Sequence, residues 1–334
     1  MKTVSVIVVN YNGYRFLKRL LDSIQIQTFK DFETIFVDNN SSDGSANFVQ
    51  NNYPEITIIQ AENKGFGTSC NLAAKNSNGQ YLAFLNEDMY LPEDFLENII
   101  SFRNNLKLKY KNIGGISCKL IDFDGIAEKS SRTLGARMDF FGFPIKNNDP
   151  KDIFIISGSP FFVSKKIFLA SGGFNENIFL YGEDADLSWR LKIFGHNNYI
   201  CHTTHIFHFG GGTTGNFGPA KIANNIYSSW IPIFTNYHWL TLTLMIPFYT
   251  IYILAVNIAI LFLKKFDLTY TYEIYKKYRS FFINFKSIYK FRKFVQRKRL
   301  KNDWFILKYI SVIPAFLINA SYRKLLPSYI IKNY

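Results

Sequence analysis

Between Leu180 and Leu191 the chain places three carboxylates, Glu183, Asp184 and Asp186, within four residues. A solvated acidic patch is usually ragged and flanked by Lys or Ser. Here Phe179, Leu180, Leu187 and Leu191 enclose the acids in an apolar frame. Leu187 and Leu191 stand one helical turn apart, so Glu183 and Asp184 fall at a helix start behind Gly182, where the macrodipole favours negative charge. The residues alone leave two readings open: acidic capping of a helix, or a functional carboxylate cluster.

A second acidic group, Asn86-Glu87-Asp88, ends an apolar run containing Leu82, Phe84 and Leu85. Carboxylates fixed at a sheet edge bind a hard cation such as Mg²⁺ or Mn²⁺ through oxygen, and that cation neutralises a diphosphate. The alternative, a cap for a helix starting at Pro92, suits Glu93 and Asp94 better. His205 and His208 are three residues apart. Strand alternation sends them to opposite faces, so at most one serves as a metal ligand.

These groups need a frame. Val4 to Val9, Phe32 to Val37, Ile56 to Ile59 and Tyr81 to Leu85 read as strands, separated by helical patterns at 16–24, around Phe48, and at 71–75. Such alternation implies a parallel α/β sheet that binds ligands at the carboxyl ends of its strands. Each strand ends in residues a site would use: Asn10 and Tyr11, then Asp38 with its Ser/Asn/Gly loop, then Asn63-Lys64-Gly65-Phe66-Gly67, then Asn86-Glu87-Asp88. Glycines in the third loop let the backbone approach a ligand. From Ile153 to Val163 an apolar run broken by Ser157-Gly158-Ser159-Pro160 suggests two strands around a tight bend.

Together these stretches resemble the family 2 glycosyltransferases of the GT-A fold, in the rhamnosyltransferase-like subgroup. The resemblance covers about residues 3–215 and rests on VSVIVVNYNG (4–13), VDNNSSDGS (37–45), NKGFGTSCN (63–71), FLNED (84–88), SGGFNENIFLYGEDADLSWRL (171–191) and HFGGGTT (208–214). It implies an inverting transferase whose acceptor hydroxyl attacks the anomeric carbon while a nucleoside diphosphate leaves. By the same resemblance Asp38, with Tyr11, Asn63 and Gly65, serves the nucleotide-sugar pocket. Asp88 and His208 hold Mg²⁺ or Mn²⁺, Asp184 is the general base with Glu183 as second candidate, and Trp189 and Arg190 support the acceptor side, Trp189 by stacking on a sugar face. Glu87 departs from the usual metal motif, and Asn175 stands where the family commonly has Asp. The Gln-x-x-Arg-Trp motif of processive synthases is absent, which implies one sugar per encounter.

The 334 residues carry a formal net charge of +14. The charge is uneven: residues 264–334 hold 17 Lys+Arg and 3 Asp+Glu, while the preceding part is neutral. Three scattered cysteines make neither a disulfide frame nor a zinc site. The N-terminus enters a strand at once and reads as lacking a signal peptide. The expected division is a catalytic domain over 1–225 (nucleotide half about 1–115, acceptor half about 116–225) and a basic, apolar helical region over 226–334.

Trp239 to Leu263 is 25 residues without a charge, long enough to span a bilayer. Residues 264–301 follow with 13 Lys+Arg against 2 Asp+Glu. Within them Ile274, Tyr278, Phe281, Phe285 and Ile288 recur at helical spacing, a basic amphipathic pattern suited to an anionic membrane surface. Trp304 to Ala320 is a second apolar stretch. The positive-inside rule keeps 264–301 in the cytoplasm, and nucleotide sugars require the catalytic part there too. Residues 239–263 therefore cannot cross once and are too short to cross twice. An in-plane or re-entrant arrangement, bent at Pro247, is expected on the cytoplasmic face of the cell membrane, where a glycan or lipid-linked oligosaccharide acceptor resides. A water-soluble helical subdomain is the alternative. Nucleic acid does not suit such apolar flanks.

Two rival functions remain from sequence. A sugar nucleotidyltransferase shares a similar sheet but needs a Gly-rich, Arg-containing loop where this chain has Asn10-Tyr11-Asn12-Gly13. A non-catalytic glycan- or membrane-binding module would follow from loss of metal binding at Glu87.

Overall fold

β1 (Val4–Asn10) is buried at every position. A strand hidden on both faces belongs inside a covered sheet, and its near-continuous Val/Ile run suits that place. α1 (Tyr14–Gln25) buries Leu17, Leu20, Leu21 and Ile24 against it. β2 (Phe32–Asp38), α2 (Ser45–Asn52), β3 (Thr57–Gln60), α3 (Phe66–Asn76) and β4 (Tyr81–Asn86) complete the expected alternation. β2 and β4 run parallel to β1, and β3 parallel to β2, so four carboxyl ends share one edge. This computed structural model describes residues 2–123, 128–133, 135–146, 153–209 and 218–311. Residues 210–214 of the last motif and 312–320 of the second apolar stretch lie outside the described residues.

The chain continues through β5 (Met89–Tyr90), α4 (Phe95–Lys109), β6 (Ile113–Phe123), β7 (Glu128–Thr133), β8 (Gly135–Asp139), β9 (Pro144–Lys146), β10 (Ile155–Ile156), β11 (Phe161–Ser164), α5 (Lys165–Ala170), α6 (Glu183–Ile193) and β12 (Asn197–His208). The main sheet runs β3-β2-β1-β4-β11-β6-β12-β5, with β7 beside β6. β11 is antiparallel to β4, β12 is parallel to β6, and β5 pairs antiparallel with the end of β12. The result is a mixed α/β sheet flanked by helices, the GT-A class that the resemblance implies. The expected strand pair at 153–163 is corrected: β11 joins the main sheet, while β10 pairs with β8 in a second, smaller one.

α7 (Pro219–Asn236), α8 (Trp239–Leu263), α9 (Leu268–Ile283), α10 (Phe285–Lys298), α11 (Asp303–Leu307) and β13 (Ile310–Ser311) follow. β13 pairs with β8, so the C-terminal region re-enters the catalytic part. The division at 225 falls inside α7, and one core cluster draws on Met138, Trp189, Tyr227, Phe281 and Ile306 alike. α10 satisfies the orphan carbonyls that end α7. Arg292 Nη1 donates to Phe234 O and Tyr237 O, Gln296 Nε2 to Thr235 O at 2.9 Å, and Arg299 Nη2 to Asn236 O.

One expectation for this region changes. α8 is one continuous helix through Pro247. Most of the stripe read as membrane-facing turns inward: Ile274, Phe281 and Ile288 are buried, Phe281 and Ile288 in the cluster that contains α7 side chains, while Phe285 stays 42% exposed. A break at Asn284 also divides that stripe between two helices.

Candidate active site

α6 begins behind two left-handed residues, Tyr181 (φ 65°) and Gly182 (φ 85°). The first carries a Cβ, a conformation that costs about 1–2 kcal/mol. This turn delivers Glu183 and Asp184 against the loop between β10 and β11. Gly158 N–H donates to Asp184 Oδ2 at 3.1 Å, and Ala185 N–H donates to Oδ1 at 2.7 Å. A Cβ at Gly158 would lie 3.0 Å from Asp184 Cβ, so a side chain there would press on Asp184 and displace it by a few tenths of an ångström. One residue further on, Ser159 Oγ accepts from Asn86 N–H at 2.7 Å. The α6 acids and the end of β4 are thus held by adjacent residues of one loop.

Burial, with the neighbouring Asp184 charge second, pushes the Glu183 carboxyl up to about 8. Burial raises Asp184 as well, against the opposing pull of the Ala185 and Gly158 N–H groups. Because those amides stabilise a charged acceptor, the pair at neutral pH holds its negative charge on Asp184 and its proton on Glu183. Glu183 Oε2 is buried without a hydrogen-bond partner among the described residues. α3 closes the other side. Gly67 lies 3.8 Å from Glu183 Cβ by its would-be Cβ, and a Cβ at Gly65 would strike Phe179 O at 2.1 Å.

At the β4 end, Asp88 Oδ2 lies 3.3 Å from His208 Nε2. The β5–β12 pairing makes this contact, because Met89 is the register partner of His208. His208 Nδ1 lies 3.6 Å from Asp122 Oδ1, where β12 pairs with β6. Asp122 was not foreseen: β6 contains Gly114, Gly115, Ser117 and Lys119, and shows neither alternation nor an apolar run. Glu87 packs under Gly13, whose Cβ would lie 2.4 Å from Glu87 Cγ. Among the described residues no three His, Cys, Asp or Glu side chains converge as a ready-made metal cage. Asp88 Oδ1, however, is buried and lacks a hydrogen-bond partner among the described residues. A carboxylate oxygen left free beside an imidazole fits a cation whose remaining ligands are diphosphate and water oxygens.

At the outer strands, Asp38 is 4% exposed. Asn10 Nδ2 donates to its Oδ1 at 3.0 Å and Ser41 N–H to its Oδ2 at 3.0 Å, leaving one lone pair on each oxygen for a ligand. Asn12 Oδ1 accepts from Ser42 N–H at 2.8 Å, which laces the first two strand-end loops together. A cavity of about 580 Å³ opens here, lined by Asp38, Asn40, Ser41, Ser42, Gly44 and Gln60 among others. Tyr11, 44% exposed, follows the buried Asn10 at the end of β1. Asn63 and Gly65 do not line the cavity: Asn63 Oδ1 instead accepts from Gly65 N–H at 3.3 Å and shapes the loop.

Trp189 and Arg190 are corrected. Both are wholly buried, so Trp189 cannot stack on a sugar; it packs edge-on against Tyr237 in the core. Arg190 Nε donates to Asp186 Oδ2 at 2.8 Å, Nη1 to Ser171 O at 2.6 Å and Nη2 to Gly173 O at 2.7 Å. Asp186 Oδ1 in turn accepts from Asn236 Nδ2 at 3.1 Å. The third acid of the cluster is therefore structural, tying α6 to the 171–173 turn and to the end of α7.

The family profile described as glycosyl transferase family 2 matches residues 5–169. This segment is similar to the glycosyl transferase family 2 domain. It contains Tyr11, Asp38, Asn63, Gly65 and Asp88, while Glu183, Asp184 and His208 come from the chain beyond it. An uncharacterized glycosyltransferase of Rickettsia typhi is 28% identical over 193 residues, 56% of this chain and 58% of the relative. The match thus spans little more than half of that relative's length. The GalNAc(5)-diNAcBac-PP-undecaprenol beta-1,3-glucosyltransferase of Campylobacter jejuni is 28% identical over 70% of this chain and 73% of its own. Among solved structures, S. aureus TarS 1-349 superposes with a TM-score of 0.56 at 15% identity, covering 100% of this chain and 93% of that one. GalNAc-T7 with UDP, GalNAc and Mn2+ gives 0.54 at 14% identity over 69% and 48%. At these identities the structures speak for the GT-A-like fold of the domain and its extension.

Proposed function

We propose that the protein is an inverting glycosyltransferase that moves a sugar from a nucleoside diphosphate donor to a glycan or lipid-linked oligosaccharide acceptor. One observation carries the reading. The loop at Gly158 and Ser159 bonds both Asp184 and the backbone of Asn86, two residues before Asp88, which favours a base and a diphosphate-binding acid in one site. In that reaction Asp184 takes the proton from the acceptor hydroxyl. The hydroxyl oxygen bonds to the anomeric carbon, and the bond to the diphosphate breaks with its electron pair on the leaving oxygen. Asp88 and His208 would hold Mg²⁺ or Mn²⁺, whose chemistry when bound is to neutralise the leaving diphosphate. Glu183, protonated, limits the charge beside Asp184. Asp38 serves the nucleoside end at the cavity between the β2 and β3 loops, with Tyr11 exposed at the end of β1.

The undecaprenol-linked acceptor in the Campylobacter relative's name, together with the exposed apolar helix α8, favours a lipid-linked acceptor at the cytoplasmic face of an anionic membrane. The rhamnosyltransferase-like motifs make rhamnose the first donor sugar to try. Calorimetry of the nucleoside diphosphates, each with and without Mn²⁺, tests the donor site. Metal-dependent binding of one pyrimidine diphosphate is the expected result. Absence of binding by all of them would replace the enzyme with a non-catalytic module.

A further inference from the structure

α8 presents two stripes of opposite fate. Leu242, Met245 and Tyr249 are buried, and Ile253, Val256 and Ile260 continue the same face, packed on the cluster of Ala223, Ile226 and Ile274. The inner stripe therefore runs almost the whole helix. On the opposite face Leu244, Phe248, Ile251, Leu254, Ile258 and Phe262 are each more than half exposed. The spacing of three and four makes this a second continuous stripe, apolar and uncovered. At its N-terminal end the stripe runs into an apolar cavity of about 640 Å³, shared with Leu300, Trp304 and Leu307. Trp304 is 80% exposed there.

We propose that α8 lies flat in an anionic membrane surface, its outer stripe and the α11 edge immersed to one depth along the helix. This rests on the membrane part of the proposed function and supplies its geometry. Three observations select this occupant. A helix packed lengthwise on its own domain cannot cross a bilayer without taking neighbours along. Its packing partner α9 carries Glu273, Lys276, Lys277 and Arg279, which hydrocarbon would strongly disfavour. Charge complementarity points to anionic headgroups, since the stripe ends at Lys264-Lys265 and residues 264–301 hold 13 basic against 2 acidic side chains. A second copy seated on the stripe would bring two such cationic regions together, which like-charge repulsion opposes. Trp239 and Trp304, both exposed, supply the amphipathic rings that settle at a lipid–water boundary.

The test uses full-length protein with a nitroxide at Leu244→Cys, Ile251→Cys or Ile258→Cys. The native Cys70, Cys118 and Cys201 are buried and stay unlabelled. The probes are vesicles of phosphatidylglycerol mixed with phosphatidylcholine, and of phosphatidylcholine alone. Depth is read from collision with oxygen against a water-soluble nickel complex. The expected result is binding to the anionic vesicles and the same shallow depth at all three positions. Leu244 and Ile258 are separated by roughly 21 Å along the axis. A depth that changes by much of that length would show a crossing or re-entrant helix and overturn the proposal. Leu254→Glu with Ile258→Glu, on exposed positions, should cut vesicle partitioning at least about tenfold without moving the thermal midpoint. Unchanged partitioning would overturn it, as would labels that couple to each other in lipid-free solution, which marks a second copy. Transfer to a soluble acceptor separates the two readings: activity without vesicle binding refutes the docking and leaves glycosyl transfer standing.

Discussion

Replacing Glu183 by Gln removes a carboxyl that burial holds protonated, and its effect on stability has a definite sign. The folded value is about 8, against 4.5 for an ordinary Glu. Below 4.5 both folded and unfolded chains carry the proton. As pH rises from 4.5 to 8 the unfolded chain releases it and the folded chain keeps it, so stability is lost with increasing pH over that window. Above 8 both have released it and the loss is complete. At 1.36 kcal/mol per pH unit the loss is at most roughly 5 kcal/mol. Glu183→Gln escapes this loss. Its thermal midpoint should exceed that of the wild type by several degrees at pH 8, with the two converging near pH 5. Melting curves at half-unit steps from pH 5 to 9 read this directly. The same variant separates roles, because it should keep transfer, whereas Asp184→Asn should abolish transfer and keep donor binding. Parallel pH profiles for wild type and Glu183→Gln would refute the assignment of the proton. Loss of transfer in Glu183→Gln with retention in Asp184→Asn would exchange the two acids.

Asp88→Ala should lose Mn²⁺-dependent donor binding, and in chelator its calorimetric titration should match that of the wild type; metal-stimulated binding retained by the variant would remove Asp88 from the cation site. Arg190→Met leaves Asp186 buried without its cation, a change that costs about 3–5 kcal/mol. Denaturant titration should show that loss, and a variant within about 1 kcal/mol of wild type would mean that the Asp186–Arg190 pair does not lock α6 to α7.

The strand–helix order from β1 to β4 was legible because each strand is a short β-branched or aromatic run closed by Gly, Asn or Asp, and each helix repeats at three and four. The polar strand ends that build the nucleotide loops were legible for the same reason. β6 was not, since its Gly115 exists for contact: a Cβ there would strike the Phe161 ring at 2.6 Å, and that partner is 46 residues away. Asp122 was invisible with it. Trp189 and Arg190 looked available because α6 is buried nearly all round and offers no polar face for contrast.

By itself the sequence determined the parallel sheet edge, the acids at 86–88 and 183–184 as separate groups, and the uncharged length of 239–263. These are local properties, set by residue type and spacing along one segment. Which side chains meet was a tertiary matter. Asp88 reaches His208 only through the β5–β12 pairing, and Asp184 reaches the β4 end only through the 157–159 loop. The orientation of the apolar stripes was tertiary too. Periodicity shows that a helix has an apolar face, but α7 covers the stripe of α9 and α10 while the outer stripe of α8 stays bare, because covering depends on which neighbour the fold brings alongside.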